Sequence, residues 1–188
     1  THVIRRWTLA AWLCLSLGLL LGARWAYDVL GWGGYWGWDP VENAALMPWL
    51  TGTAFLHTIH IQQQRSIFKA WNMILIILTF SLVLFGTFIT RSGLIHSVHT
   101  FARSAVGPAF LAFLALTILT SIALLIRRRE ALRSETALVS LWSREAIFAL
   151  ASLLFVTLAC SVLVGTISPA VSEWLGGQKI VVGPAWFS

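Results

Sequence analysis

The chain has 188 residues, of which 58% are hydrophobic and 11% are charged, and its formal net charge is +6 at pH 7. Soluble domains contain about 25% charged residues, so the composition excludes a soluble globular domain and indicates an integral membrane protein. The positive charge does not indicate a nucleic-acid partner, because the basic residues form short clusters between hydrophobic runs, as they do in membrane loops.

Five segments are long and apolar enough to cross a bilayer, which takes about 20 helical residues. They are residues 7–27, 44–61, 71–90, 106–126 and 146–167. We therefore predict an all-α integral membrane fold, a polytopic helical bundle of about five transmembrane helices in a single membrane domain, 1–188. Thr1 is not followed by a basic region and a cleavage site in the arrangement of a signal peptide, so we expect an internal fragment of a longer protein.

The most unusual stretch follows the first span, at residues 31–49: GWGGYWGWDPVENAALMPW. Trp32, Tyr35, Trp36 and Trp38 fall close together and are separated by glycines, which let the backbone bend and approach a neighbour. One interpretation is an aromatic belt at the membrane–water boundary. The other is a platform for a large, flat, apolar ligand, and the density of the aromatic residues favours it.

A helix start follows these aromatic residues directly. Asp39, Pro40 and Glu42 have the residue types of an N-cap, a first helical position and the third position of a capping box. Carboxylates at such positions accept hydrogen bonds from the unpaired amides of the first turn. We therefore interpret Asp39 and Glu42 as caps and not as acid–base catalysts.

Two histidines stand out by position. His57 lies within the second span, where an ionisable residue indicates either a functional site or a polar tie to a neighbouring helix. His99, in SVHTFA, lies in the 91–105 loop between the third and fourth spans. A loop histidine of this kind is either solvated or a metal ligand.

The loops predict an orientation. One side of the membrane receives nine Lys and Arg residues and the other four, and the positive-inside rule places the nine in the cytoplasm. Residues 127–145 then form a cytoplasmic basic connector. The aromatic stretch, the 91–105 His loop and residues 168–188, the start of a further segment, share the outer face.

The two cysteines exclude thiol exchange as the function. Cys14 and Cys160 lie in different predicted spans and form no CxxC pair. We expect both to be buried as small apolar residues.

The run WGGYWGWDPVENAALMPWL resembles the tryptophan-rich WWD motif of the haem-handling proteins of cytochrome c maturation, and within that group the CcmF family of haem lyase subunits. The resemblance extends from about residue 5 to the end and includes NrfE, the paralogue dedicated to nitrite reductase. It implies a membrane-bound enzyme of the bacterial inner membrane that receives haem from a CcmE-like carrier. That enzyme attaches the haem through thioethers to the CxxCH segment of apocytochrome c, which CcmH- and CcmI-like subunits present.

The resemblance also implies roles for individual residues. His99 corresponds to an axial ligand of an outer-face haem, and His57 to a ligand of an intramembrane haem b that takes electrons from a donor expected to be quinol. The second axial histidine of each haem is expected outside this sequence. The implied haem platform consists of Trp32, Tyr35, Trp36, Trp38, Asp39 and Trp49.

Two other functions compete with haem attachment. A haem transporter or presenter of the CcmC type would use the same motif without forming bonds, although the DPVEN…MPWL sequence and His57 favour the lyase. An electron-transfer cytochrome b would repeat histidines about 13 residues apart on one helix, roughly 20 Å of rise. His57 and His60 do not have that spacing.

Overall fold

The computed structural model describes residues 2–31, 33–92, 106–134, 142–176, 182 and 186–187. Within these ranges the chain forms five α-helices and no strand: α1 His2–Val29, α2 Pro40–Arg65, α3 Lys69–Ser92, α4 Gly107–Arg127 and α5 Arg144–Trp174. Four of them, α1, α3, α4 and α5, have the length and apolar composition of membrane spans. The predicted all-α membrane bundle is confirmed.

α2 is the central helix, and it packs against α1, α3 and α5. Its composition is less apolar than that of the other four helices, and several of its polar residues are buried, among them Asn43, Thr51, Thr53 and Thr58. Buried polar groups cost free energy unless they are hydrogen-bonded. The three threonine hydroxyls donate to carbonyls three or four residues earlier in α2 itself, and side chains of the neighbouring helices add further hydrogen bonds.

α3 and α5 also contact polar residues of α2. The Thr79 hydroxyl of α3 donates to Thr51 Oγ1 across 2.8 Å. Asn72 of α3 accepts from the Thr58 hydroxyl and donates to Gln62 Oε1. Arg65, at the end of α2, forms an ion pair of 3.0 Å with Glu145 of α5. The contacts fix the register of α2 against both neighbours.

Two prolines lie inside helices and each leaves a carbonyl without its usual amide partner. Pro48 frees the Ala44 carbonyl, and Gly86 of α3 packs beside it, where an added Cβ would lie 3.3 Å from the Ala44 Cβ and 3.5 Å from the carbonyl oxygen. Pro169 frees the Gly165 carbonyl, which accepts a hydrogen bond of 2.9 Å from the Ser168 hydroxyl. α5 thus continues to Trp174, well past residue 167, where we expected the fifth span to end.

The expectation that the cysteines are buried is wrong. Cys14 of α1 and Cys160 of α5 are both exposed in the structure. α1 contacts the bundle through α2 on one side only, and its other side exposes apolar residues such as Leu20 and Leu21. The two cysteines lie on such outer surfaces, where membrane spans face lipid or further helices.

Candidate functional site

The predicted capping box is present at the start of α2. Asp39 Oδ2 accepts from the Val41 amide across 3.0 Å, and Glu42 Oε2 accepts from the Asp39 amide across 3.3 Å. Glu42 Oε2 also accepts from the Gly37 amide across 2.9 Å. The two carboxylates therefore hold both the helix start and the preceding loop, which confirms that they act as caps.

Asn43 joins the same loop to α5. Its side-chain amide is buried and donates to the Trp38 carbonyl across 3.2 Å and to Thr166 Oγ1 across 3.1 Å. Trp38 itself has a φ of 56°, a left-handed conformation that is uncommon for a residue other than glycine. Such a conformation persists only where neighbouring contacts fix it, and the Asn43 hydrogen bond is one of them.

Trp36, Trp38 and Phe187 form an aromatic cluster at this end of the bundle. Trp38 stacks on Phe187 with ring centroids 4.8 Å apart, and Trp36 meets Trp38 edge-on at 5.9 Å. Trp38 and Phe187 also pack on the hydrophobic core below, around Met47. Gly165 of α5 leaves room for Phe187, because an added Cβ would lie 2.7 Å from its ring.

The indole N–H of Trp36 is buried and has no hydrogen-bond partner among the described residues. Most buried donors in folded proteins are paired, so an unpaired one requires an explanation. The aromatic cluster thus contains a donor that an acceptor from outside the described chain would satisfy.

The remaining platform residues lie elsewhere or outside the described ranges. Tyr35 is largely exposed and stacks on Tyr27 of α1 with ring centroids 4.5 Å apart. Trp49 lies on α2, roughly 14 Å along the helix from Pro40 at about 1.5 Å per residue. Trp32 falls outside the described residues. The structure brings Trp36, Trp38 and Asp39 together, whereas Tyr35 and Trp49 contact α1.

The partner of Trp49 is Trp12 of α1, which lies outside the tryptophan-rich motif and was not among the predicted site residues. The two indoles stack at 5.8 Å, Trp49 Nε1 donates to Ser16 Oγ and Trp12 Nε1 donates to Thr53 Oγ1, both across 2.8 Å. A signal was available, because each helix carries a Trp and a hydroxyl residue four positions apart, on one face. Two antiparallel helices can pair such faces reciprocally.

His57 lies half-buried on the side of α2 that faces α5, with Phe148 and Phe155 within 5.7 Å of its ring. Its Nδ1 lies 2.7 Å from the Thr53 carbonyl oxygen. A carbonyl can only accept, so the Nδ1 carries the proton, and Nε2 of the neutral ring keeps its lone pair. Nε2 has no partner among the described residues, and a ring in this tautomer can ligate a metal.

The other candidate histidine is not described. His99 and the loop 93–105 that contains it lie outside the described residues. His60, one turn beyond His57, is exposed and lies 3.2 Å from Gln64 Nε2.

Comparison with known families agrees with the motif. The family model described as "Cytochrome C assembly protein" matches residues 1–96, about half of the chain. The chain belongs to the cytochrome c assembly protein family. The resemblance to CcmF is likewise confirmed, and it extends over nearly the whole chain.

Individual members of the cytochrome c assembly family are similar throughout. Over 185 residues, 98% of this chain, it is 48% identical to the cytochrome c-type biogenesis protein CcmF of Escherichia coli and 46% identical to that of Pseudomonas aeruginosa. It is 45% identical to the probable cytochrome c-type biogenesis protein NrfE of Escherichia coli, over 97% of the chain. The chain spans 28% of the two CcmF proteins and 33% of NrfE.

A solved structure of the family has the same fold. The protein titled "Cytochrome c Heme Lyase CcmF" superposes with a TM-score of 0.74 and is 39% identical. The match covers 97% of this chain and 26% of that protein. The five helices therefore correspond to about a quarter of that protein.

Proposed function

We propose that the chain is part of a haem lyase that attaches haem to apocytochrome c. The aromatic cluster at the start of α2 is the observation that carries the proposal. A capping box, the Asn43 hydrogen bonds and the Phe187 stack together hold two indoles at one end of the bundle. A rigid aromatic surface of this kind suits a flat, apolar macrocycle.

The residues present fit haem at two places. The unpaired Trp36 N–H is a donor that a haem carboxylate would satisfy next to the aromatic surface. With its Nδ1 at the Thr53 carbonyl, His57 leaves Nε2 as the nitrogen that can bind iron, with Phe148 and Phe155 as apolar neighbours. We therefore assign Trp36 and Trp38 to the outer-face site, together with His99 and Trp32 of the undescribed segments, and His57 to an intramembrane haem b.

The chemistry of attachment assigns a positioning role to these residues. Haem supplies vinyl groups, to which the two thiols of a CxxCH segment add to give thioethers. The protein must hold the macrocycle with an edge exposed to the incoming segment, and correct placement of two reactants lowers the barrier by several kcal/mol. Asp39, Glu42 and Asn43 keep the loop that carries Trp36 and Trp38 in place, and none of them needs to transfer a proton.

A haem transporter without bond-forming activity is the alternative, and one experiment separates the two. In the complete protein, His99→Ala should stop cytochrome c formation while the haem carrier stays loaded, because the misplaced haem no longer reacts. His96→Ala, in the same loop, is the matched control and should retain cytochrome c formation. A transporter predicts an empty carrier in the His99→Ala strain, and that result would overturn the lyase assignment.

We also propose that the chain lies in the bacterial inner membrane with the aromatic cluster on the periplasmic side. The basic residues at the opposite end of the bundle support this orientation, among them Arg65, Arg127 and Arg128. Single cysteines at positions 36 and 99 of an otherwise cysteine-free complete protein should react with a membrane-impermeant thiol reagent in intact cells. A cysteine at position 130 should not, and the reverse pattern would invert the topology.

A further inference from the structure

A groove runs between α3 and α4 at the end of the bundle opposite the aromatic cluster. Its volume is about 440 Å³. Its walls are apolar apart from one hydroxyl and one guanidinium; the lining residues that matter here are Met73, Ile77, Ser121, Leu124, Arg128 and Leu132. Met73 is 40% exposed and Leu124 is 59% exposed, so the groove opens on the outer surface of the bundle.

The mouth of the groove is cationic. Arg128 lines it directly, and the segment 127–133 contains four arginines and one glutamate. That glutamate, Glu130, lies 3.5 Å from Arg129, its neighbour in the sequence, and leaves Arg128 at the mouth. The positive charge is thus concentrated at the mouth of the groove.

The backbone after α4 holds this arrangement together. The Arg128 amide donates to the Leu124 carbonyl across 2.9 Å, and the Leu132 amide donates to the Arg128 carbonyl across 3.2 Å. The turn brings the half-buried Leu132 back into the groove wall while the arginines stay exposed. The apolar groove therefore ends, within one turn of the chain, at its cationic mouth.

We propose that this groove binds an anionic phospholipid, with an acyl chain between α3 and α4 and the phosphate group at Arg128. An uncharged amphiphile such as a quinol could accept a hydrogen bond from Arg128 but would gain no charge pairing, and a zwitterionic lipid would gain less than an anionic one. Basic pockets between transmembrane helices are a known form of anionic headgroup site. The proposal does not depend on the haem chemistry, so the two can fail separately.

The test uses the complete protein in phosphatidylcholine bilayer discs that contain a small fraction of a lipid with a photoactivatable acyl chain. Phosphatidylglycerol should label peptides that contain residues 73–77 and 121–132 more strongly than phosphatidylcholine does. This comparison needs no substitution. Equal labelling by the two lipids would overturn the proposal, as would no labelling, which is expected if a further helix covers the groove.

Two variants locate the headgroup and the acyl chain. Arg128→Gln should lower the preference for phosphatidylglycerol about fivefold, which corresponds to the ~1 kcal/mol of one basic residue near an anionic surface. Arg5→Gln removes the same charge from a helix that does not line the groove and should keep the preference. Ser121→Phe should reduce labelling by both lipids in the groove. An equal effect of Arg128→Gln and Arg5→Gln, or displacement of the label by added quinone, would overturn the assignment.

Discussion

Asn43 donates a hydrogen bond to the main-chain carbonyl of Trp38, five residues earlier in the sequence, and a second one to Thr166 of α5. This pair of bonds ties the loop that carries the tryptophans to the helix that supports Phe187. The DPVEN run is therefore a structural unit. Asp39 and Glu42 start the helix, and Asn43 fixes the backbone that leads into it.

We expect Asn43→Ala to reduce cytochrome c formation, since the Trp38 carbonyl and the Thr166 hydroxyl both lose their Asn43 donor. The free energy of unfolding should fall by about 1–3 kcal/mol, as is typical when a buried polar group loses its partner. Asn72→Ala is a matched control, because Asn72 is equally buried but bonds to Thr58 and Gln62, away from the aromatic cluster. It should destabilise the protein similarly and keep cytochrome c formation. Equal loss of product in the two variants would show that stability alone explains the effect.

The two carboxylates at the start of α2 are expected to tolerate loss of charge but not loss of the acceptor. Asn caps a helix about as well as Asp, whereas Ala costs about 1 kcal/mol. Asp39→Asn and Glu42→Gln should thus retain cytochrome c formation, and Asp39→Ala should reduce it. Measuring product yield and thermal stability for all three variants checks this. If Asp39→Asn is as defective as Asp39→Ala while its stability is unchanged, the carboxylate takes part in the chemistry.

The helices and the cap could be predicted from the sequence, because both depend on local signals. Apolar runs of membrane length identify spans, and Asp39, Pro40 and Glu42 form a cap through contacts within one turn. The length of α5 was predicted too short, because a proline normally ends a helix and Pro169 lies just after the predicted end of the span. Here the Ser168 hydroxyl supplies the hydrogen bond that the proline removes, which composition does not reveal.

The haem platform was harder to predict, because contacts with residues distant in the sequence decide which aromatic residues of the motif lie in the cluster. Trp49 belongs to the same motif as Trp36 and Trp38, yet its ring stacks on Trp12 and bonds to Ser16 of α1. Phe187 reaches Trp38 only because Gly165 leaves space on α5. The Trp49 contact becomes visible only when Trp49 and Thr53 are compared with Trp12 and Ser16 of α1, and the Phe187 contact has no signal in the sequence around the motif.

If His57 ligates the proposed intramembrane haem b, His57→Ala should abolish the spectrum of that haem in the complete protein while the protein still inserts into the membrane. The reason is that Nδ1 donates to the Thr53 carbonyl, so Nε2 is the ring's available ligand. His60→Ala, three residues further on and exposed, should keep the spectrum. The measurement is the absorption spectrum of the purified, reduced protein. A full haem b signal in His57→Ala would leave His57 as a structural residue that packs against Phe148 and Phe155.

Gly165→Ala should stabilise α5 as a helix and at the same time displace Phe187. Alanine favours a helix over glycine by roughly 0.5–1 kcal/mol, so α5 itself should gain. The new Cβ, however, would lie 2.7 Å from the Phe187 ring and 2.8 Å from the Trp186 ring, so both must move. Movement of Phe187 breaks its stack on Trp38, a contact of a kind that contributes about 0.5–1.5 kcal/mol.

Gly18→Ala is the matched control, because an added Cβ at Gly18 meets nothing within 4 Å. We expect Gly18→Ala to keep cytochrome c formation and Gly165→Ala to lower it. A Gly165→Ala/Phe187→Ala double variant decides the cause. If displacement of Phe187 is responsible, the double variant should be no worse than Phe187→Ala alone, since the two changes remove the same contact. Additive losses of product would instead mean that Gly165 acts on haem attachment by a route that does not pass through the Trp38–Phe187 stack.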